Sequence, residues 1–166
     1  MDSVTVDVTF EERYWYPDDG TVVWLAGYQP IDAATGEFLA RDAPALAQAG
    51  LRVVGVAGAS RHHDAALQSE RASPGSPLAL RRDPGNEHDP HAIAVDTVEG
   101  EQLGWVPRDV AAELAPALDA GTAWSVVALR ERRASPRDPR AGLTMLLAQA
   151  DAIELRTRDR RPPRRM

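Results

Sequence analysis

The chain has no cysteine and no lysine among its 166 residues. The first absence excludes a disulfide framework and any thiolate metal ligand or nucleophile. The second leaves arginine as the sole basic side chain; with many alanines, glycines and prolines, this points to a GC-rich bacterial genome, a matter of codons and not of function. Long apolar runs are also missing, the stretch Val22–Ala26 being far too short to cross a bilayer. The opening MDSVTVDVTF alternates apolar and polar residues, unlike the basic-then-apolar pattern of a signal peptide. A soluble cytoplasmic protein is the expectation.

What is present is ordinary globular composition, 43% hydrophobic and 27% charged, enough for one domain with a core and an appendage. The net charge of −6 is unevenly spread. Residues 1–51 carry nine acids against two arginines, and residues 135–166 carry four acids against eight arginines. An acidic protein of this kind does not coat duplex DNA non-specifically, although a small site reading a few phosphates is compatible with it.

Period-two alternation through Val4, Val6, Val8 and Phe10 predicts a strand, and the turn Pro17–Gly20 leads to a second from Thr21 to Tyr28. Most of the aromatic residues Tyr14, Trp15, Tyr16, Trp24 and Tyr28 are expected to cover one face of a small sheet. Asp42 is placed to cap a short helix ending at Gly50. Further strands are predicted at Arg52–Val56, Leu78–Arg81, Ala92–Asp96, Gln102–Val106, Thr122–Arg130, Leu143–Ala148 and Ile153–Leu155. One helical turn is expected at Asp64–Gln68. The clearest helix is Asp109–Ala120, with Val110, Leu114 and Leu118 on one face and Pro116 expected to kink or shorten it. Many short strands with one or two short helices predict a mainly β protein built on a small barrel.

The loop between the strands around Leu78 and Ala92 is the densest chemistry in the chain. From Arg82 to His91 it holds seven ionisable or amide side chains and two prolines, more than reversal of the chain requires. Asn86 and Asp89 could serve as turn residues bonding their own backbone. Trp105 and Trp124 read most simply as core. The arginines at 130, 132, 133, 137 and 140 read as a solvated hairpin, with a phosphate-tracking rim as the rival. All four histidines (62, 63, 88 and 91) fall in one window, but on loops, so no metal, cofactor or catalytic centre is expected from them. No P-loop, dinucleotide fingerprint, zinc-protease or serine-hydrolase motif is present, and no enzyme activity is expected.

Three segments carry a resemblance: LRVVGVAGAS (51–60), SPLALRRDPGNEHDPHAIAV (76–95) and GEQLGWVPRDVAAEL (100–114). Arg82, Pro84, Asn86, Asp89, Ala92, Ile93 and Val95, followed by Gly104, Trp105, Val106 and Pro107, resemble the HIRAN domain pattern. The resemblance implies an OB-like small β-barrel over residues 51–155, preceded by an acidic β extension (1–50) and followed by a basic, disordered tail (156–166). It implies binding of single-stranded DNA at a free 3′ end, in DNA repair or processing, without a cofactor. Carried onto this chain, Asp89 would accept a hydrogen bond from the terminal hydroxyl, Asn86 would hold the terminal nucleotide or its loop, and His88 would meet a base. Arg61, His62 and His63 would lie nearby, and His91 and Arg82 would also contact the nucleic acid. The alternative is an accessory module for a helicase or nuclease, and a third reading is a histidine-rich metal-dependent enzyme. An open, positive cleft beside Asp89 favours nucleic acid; a cleft filled by residues 1–50 favours the accessory module.

Overall fold

The computed structural model describes residues 3–16, 19–59 and 63–158. Residues Arg61 and His62, and the tail from residue 159 onward, lie outside the described residues. Among the described residues nine strands run in chain order with three α-helices: β1 (Ser3–Trp15), β2 (Val23–Pro30), α1 (Pro44–Gln48), β3 (Leu51–Gly55), α2 (Asp64–Leu67), β4 (Pro77–Arg82), β5 (Ile93–Thr97), β6 (Gln102–Trp105), α3 (Arg108–Asp119), β7 (Ser125–Arg133), β8 (Arg140–Ala148) and β9 (Ala152–Thr157). The protein is mainly β, as the alternation of its sequence predicts. Among the described residues no helix is long and apolar enough to cross a membrane.

Strand β7 organises the sheet. One edge pairs with β8, which in turn pairs with β3. Its other edge is shared end to end: β4 meets it at Leu78↔Val126, and β2 meets it from Gly27↔Arg130 to Trp24↔Arg133. From β4 the sheet continues to β5 and β6; from β2 it continues to β1 and then, in parallel, to β9. The ladder therefore branches and does not close into a barrel. The far edges meet only in a bridge between Ala57 and Trp105, held by N–H···O bonds of 2.8 and 2.9 Å.

This branching sandwiches β3, β7 and β8 between two cores. On one side Val54, Val126, Ala128, Met145 and Leu147 pack with β5, α2 and the Val110–Leu114 face of α3. On the other, Leu51, Val53, Val127, Leu129 and Leu146 pack with Val6 and Val8 of β1 and Leu46 of α1. The acidic N-terminal strands thus cover one face of the central strands. Buried Asp7 joins β1 to the chain's end, paired with Arg156 and, at 3.3 Å, Arg158. The hydrogen bond from Arg156 holds its carboxyl below the ordinary carboxylate range, against a smaller upward effect of burial.

Several local expectations are corrected. Pro116 does not shorten α3, which runs on to Asp119; the carbonyl deprived of its partner belongs to Ala112, which is exposed. Asp42 does not cap α1, whose N-cap is Ala43 with Pro44 in the first turn. Tyr14, Trp15 and Tyr16 are 51–70% exposed and do not line a core. Arg140 is not solvated: it is buried, and it donates to Glu131, to the carbonyls of Leu67 and Ser69 and to the Ser73 hydroxyl. Arg156 belongs to β9 and not to a free tail.

Leu129 is fully buried on the side covered by the N-terminal strands. Leu129→Ala should lower unfolding stability by about 2–5 kcal/mol in a denaturant titration, as for a buried leucine whose site cannot collapse. A loss below about 1 kcal/mol would mean that this second face is loosely packed.

Candidate nucleic acid interface

The loop between β4 and β5 is held first by its own amide and acid side chains. Asn86 Oδ1 accepts from the backbone N–H of His88 (2.9 Å) and Asp89 (3.1 Å), while its Nδ2 donates to Asp83 Oδ2 at 3.2 Å. Asp89 Oδ1 accepts from the N–H of His91 at 2.9 Å. These side-chain oxygens accept from backbone N–H groups of a proline-containing loop and so hold its turn.

Arg82 braces the loop from its base. Its guanidinium forks onto Asp119 of α3 at 2.9 and 3.2 Å, and donates to the carbonyls of Ala92 and Pro90. The pairing raises the arginine and lowers the carboxyl of Asp119. A guanidinium committed in this way holds the loop on the helix and has few donors left for a ligand.

Above this scaffold lies a cavity of about 310 Å³. Ala57, Ala92 and Val106 line its apolar part, with Asn86, His88, Asp89, Trp105 and Arg108 around them. Asp89 is mostly buried, its side chain 17% exposed. Since Oδ1 is taken by His91 N–H, Oδ2 is the oxygen available to a ligand; Arg108 Nε lies 4.0 Å from it. Arg108 also donates to the His88 carbonyl at 3.3 Å while its side chain stays 79% exposed. The cavity therefore offers an acceptor-only carboxylate, a cation beside it, and two flat rings, His88 and Trp105. Such a set suits a ligand that carries a hydroxyl and a phosphate on one sugar.

The bridge between Ala57 and Trp105 forms the cavity wall and depends on Gly104. A Cβ there would lie 2.4 Å from the Ala57 carbonyl oxygen and 2.8 Å from Val56 Cγ1. Only glycine lets the segment after β3 cross so close to β6.

Of the residues expected at the site, Asn86, His88 and Asp89 come together. Arg82 and His91 belong to the loop's support and rim; His91 Nδ1 lies 3.9 Å from Asp89 Oδ1. His63 precedes α2 and does not line this cavity. Arg108 and Trp105 are the additions. Trp105, expected in the core, is only half-buried because one side of its ring faces the cavity. Arg108 follows the Gly104–Pro107 motif directly, a proximity that could have singled it out. Among the described residues no three histidine or acid side chains converge as metal ligands would.

Comparison with known proteins gives a match of residues 50–141 to the HIRAN domain. The crystal structure of the HIRAN domain of human HLTF is 26% identical, covering 60% of this chain and 76% of that one at a TM-score of 0.44. A crystal structure of a protein from Lactobacillus plantarum is 21% identical, covering 58% of this chain and 91% of that one at a TM-score of 0.43. No curated protein matches the chain.

Gly104→Ala should cost about 1–3 kcal/mol, because the new methyl must push the Ala57 backbone outward. An unchanged denaturation midpoint would show that the crossing has room to spare.

Proposed function

The chain belongs to the HIRAN domain family, a family of DNA-binding modules, and from that membership and the Asp89 cavity we propose that it binds single-stranded DNA at a free 3′ end. The observation that carries the proposal is the placement of Asp89: a mostly buried carboxylate whose Oδ2 accepts no hydrogen bond among the described residues and lies 4.0 Å from the exposed guanidinium of Arg108. An ionised carboxylate accepts a hydroxyl and repels a phosphate, which separates a free end from internal backbone. Arg108 can take the phosphate on the other side of the terminal sugar. Stacking of a base on His88 or Trp105 is tolerant of sequence and worth about 1–3 kcal/mol.

No described residue of the first fifty lines the cavity, so the N-terminal strands leave it to a ligand. That arrangement favours nucleic acid over the accessory-module reading. In this proposal the protein performs no chemistry of its own and presents 3′ ends during DNA repair or processing, alongside a helicase or nuclease.

The test is a binding titration against single strands that differ only at the 3′ terminus. A 3′-phosphate removes the donor and sets about −1.5 to −2 of charge against Asp89, so the 3′-hydroxyl strand should bind the tighter of the two. Asp89→Ala should weaken hydroxyl-end binding about ten- to a hundred-fold, the worth of a charge-assisted bond, and should also shrink the preference between the two ends. Loss of stability could imitate the first effect but not the second. Equal affinity of the unmutated protein for both ends would overturn the proposal.

A further inference from the structure

A second cavity, of about 460 Å³, lies where the N-terminal strands meet the central sheet. It gathers Arg13 of β1, Arg41 from the segment before α1, and Arg130 and Arg132 of β7, with Trp15 at its edge. Among the described residues, every other arginine except Arg137 sits in an ion pair with an aspartate or glutamate. In a protein of net charge −6, the described arginines without carboxylate partners are therefore collected, Arg137 apart, in one place. Glu131 also lines the cavity, but it is buried and already paired with Arg140 and Arg133.

The cluster is built and not incidental. Half-buried Arg130 bonds only neutral groups, Gln29 Oε1 and the Tyr28 carbonyl. Burial, then the guanidinium groups of Arg41 and Arg13, pull it down to about 10, partly opposed by Glu11. It stays charged at neutral pH, so the cavity gathers mutually repelling cations whose repulsion an anion would relieve. Arg132 lies against Gly142, where a Cβ would come within 2.9 Å of its Nη2; the missing side chain sets the place of the guanidinium. Trp15 is 51% exposed and offers a ring beside the cations. Val56 lines this cavity and the next residue, Ala57, lines the Asp89 cavity, so the two flank the same exit from β3.

We propose that the Arg13, Arg41, Arg130 and Arg132 cleft binds the phosphodiester backbone of single-stranded nucleic acid, with a base against Trp15. Planar guanidinium forks match phosphate oxygens, and cations interleaved with an aromatic ring are the usual means of tracking a strand. Arg13 and Arg41 lie outside the HIRAN match at residues 50–141, so this contact belongs to the chain's own N-terminal strands. The inference deepens the end-binding reading by giving the same strand a second contact, and rests on it only for the choice of ligand.

The experiment compares a trinucleotide with a strand of about fifteen nucleotides, both ending in a 3′-hydroxyl, for the full chain and its Arg13→Gln/Arg41→Gln variant. Both substituted side chains are exposed, and equal thermal midpoints verify the fold. The longer strand should bind the parent more tightly, with a log–log salt slope steeper by about 1 to 2, since each neutralised phosphate of a single strand contributes about −0.7. In the variant that gain in affinity and slope should disappear, while trinucleotide affinity and the preference for a hydroxyl end stay unchanged. Arg130→Gln, from within the cleft, should act in the same direction. Loss of the length gain in the variant supports the cleft even if the parent has no preference between ends, which separates its fate from that of the Asp89 reading. A variant that keeps the parent's length gain and slope would overturn it. So would an acidic peptide of equal charge that displaces the long strand from the parent more effectively than a second copy of that strand.

Discussion

Strands β7 and β8 each carry an unbroken apolar run, Val126–Leu129 and Met145–Ala148, and the rest of the fold answers that constraint. Val126 and Ala128 face one core while Val127 and Leu129 face another; Met145 and Leu147 alternate in the same way with Leu146 and Ala148. A strand buried on both faces needs a layer on each side. On one side the layer is β5, α2 and α3; on the other it is β1, α1 and their neighbours. The N-terminal strands are in this sense demanded by the central sheet. Sharing one edge of β7 between β4 and β2 is how the chain supplies both covers from one strand.

The two cavities follow from that branching. The β4–β5 loop and β6 lie along the β4 arm, where the bridge from Ala57 to Trp105 brings the end of β3 against them and encloses the Asp89 cavity. The β2–β1 arm leaves β7 at Arg130–Arg133 and carries Arg13 and Trp15 over the same end of β3. The polar loop that looks over-furnished in sequence has two duties. Asn86 and one oxygen of Asp89 close the turn, and Arg82 ties it to α3, leaving the other oxygen of Asp89 beside Arg108. In the proposed function the residues that brace the loop also meet the ligand.

Most strands and the main helix were legible because alternation and helical spacing are local signals. So was the Asn86–Asp89 loop, whose residues lie within four positions of each other. What escaped depends on long-range pairing. Nothing in Ser3–Val8 announces a parallel partner at Ala152–Thr157, since a pairing across the whole chain leaves no local pattern. Open branching, in place of a closed barrel, turns on one edge of β7 serving two strands, and strand count cannot reveal that. Nothing local in Arg13 or Arg41 shows that β1 and the segment before α1 bring them to Arg130. Trp105 reads as core from its apolar ring, but it is half-buried and lines the cavity beside the bridge to Ala57, which only long-range pairing reveals.

The central claim is that the Asp89 cavity receives a strand end, and its most direct measurement is a nitrogen-15 NMR titration with a short single strand ending in a 3′-hydroxyl. The account predicts saturable shifts of the backbone amides of His88, Asp89 and His91 and of the Trp105 indole N–H. The Trp124 indole N–H, buried against the main core and without a hydrogen-bond partner among the described residues, should stay still. Shifts that leave the His88–His91 loop and Trp105 unmoved while the strand binds would contradict it.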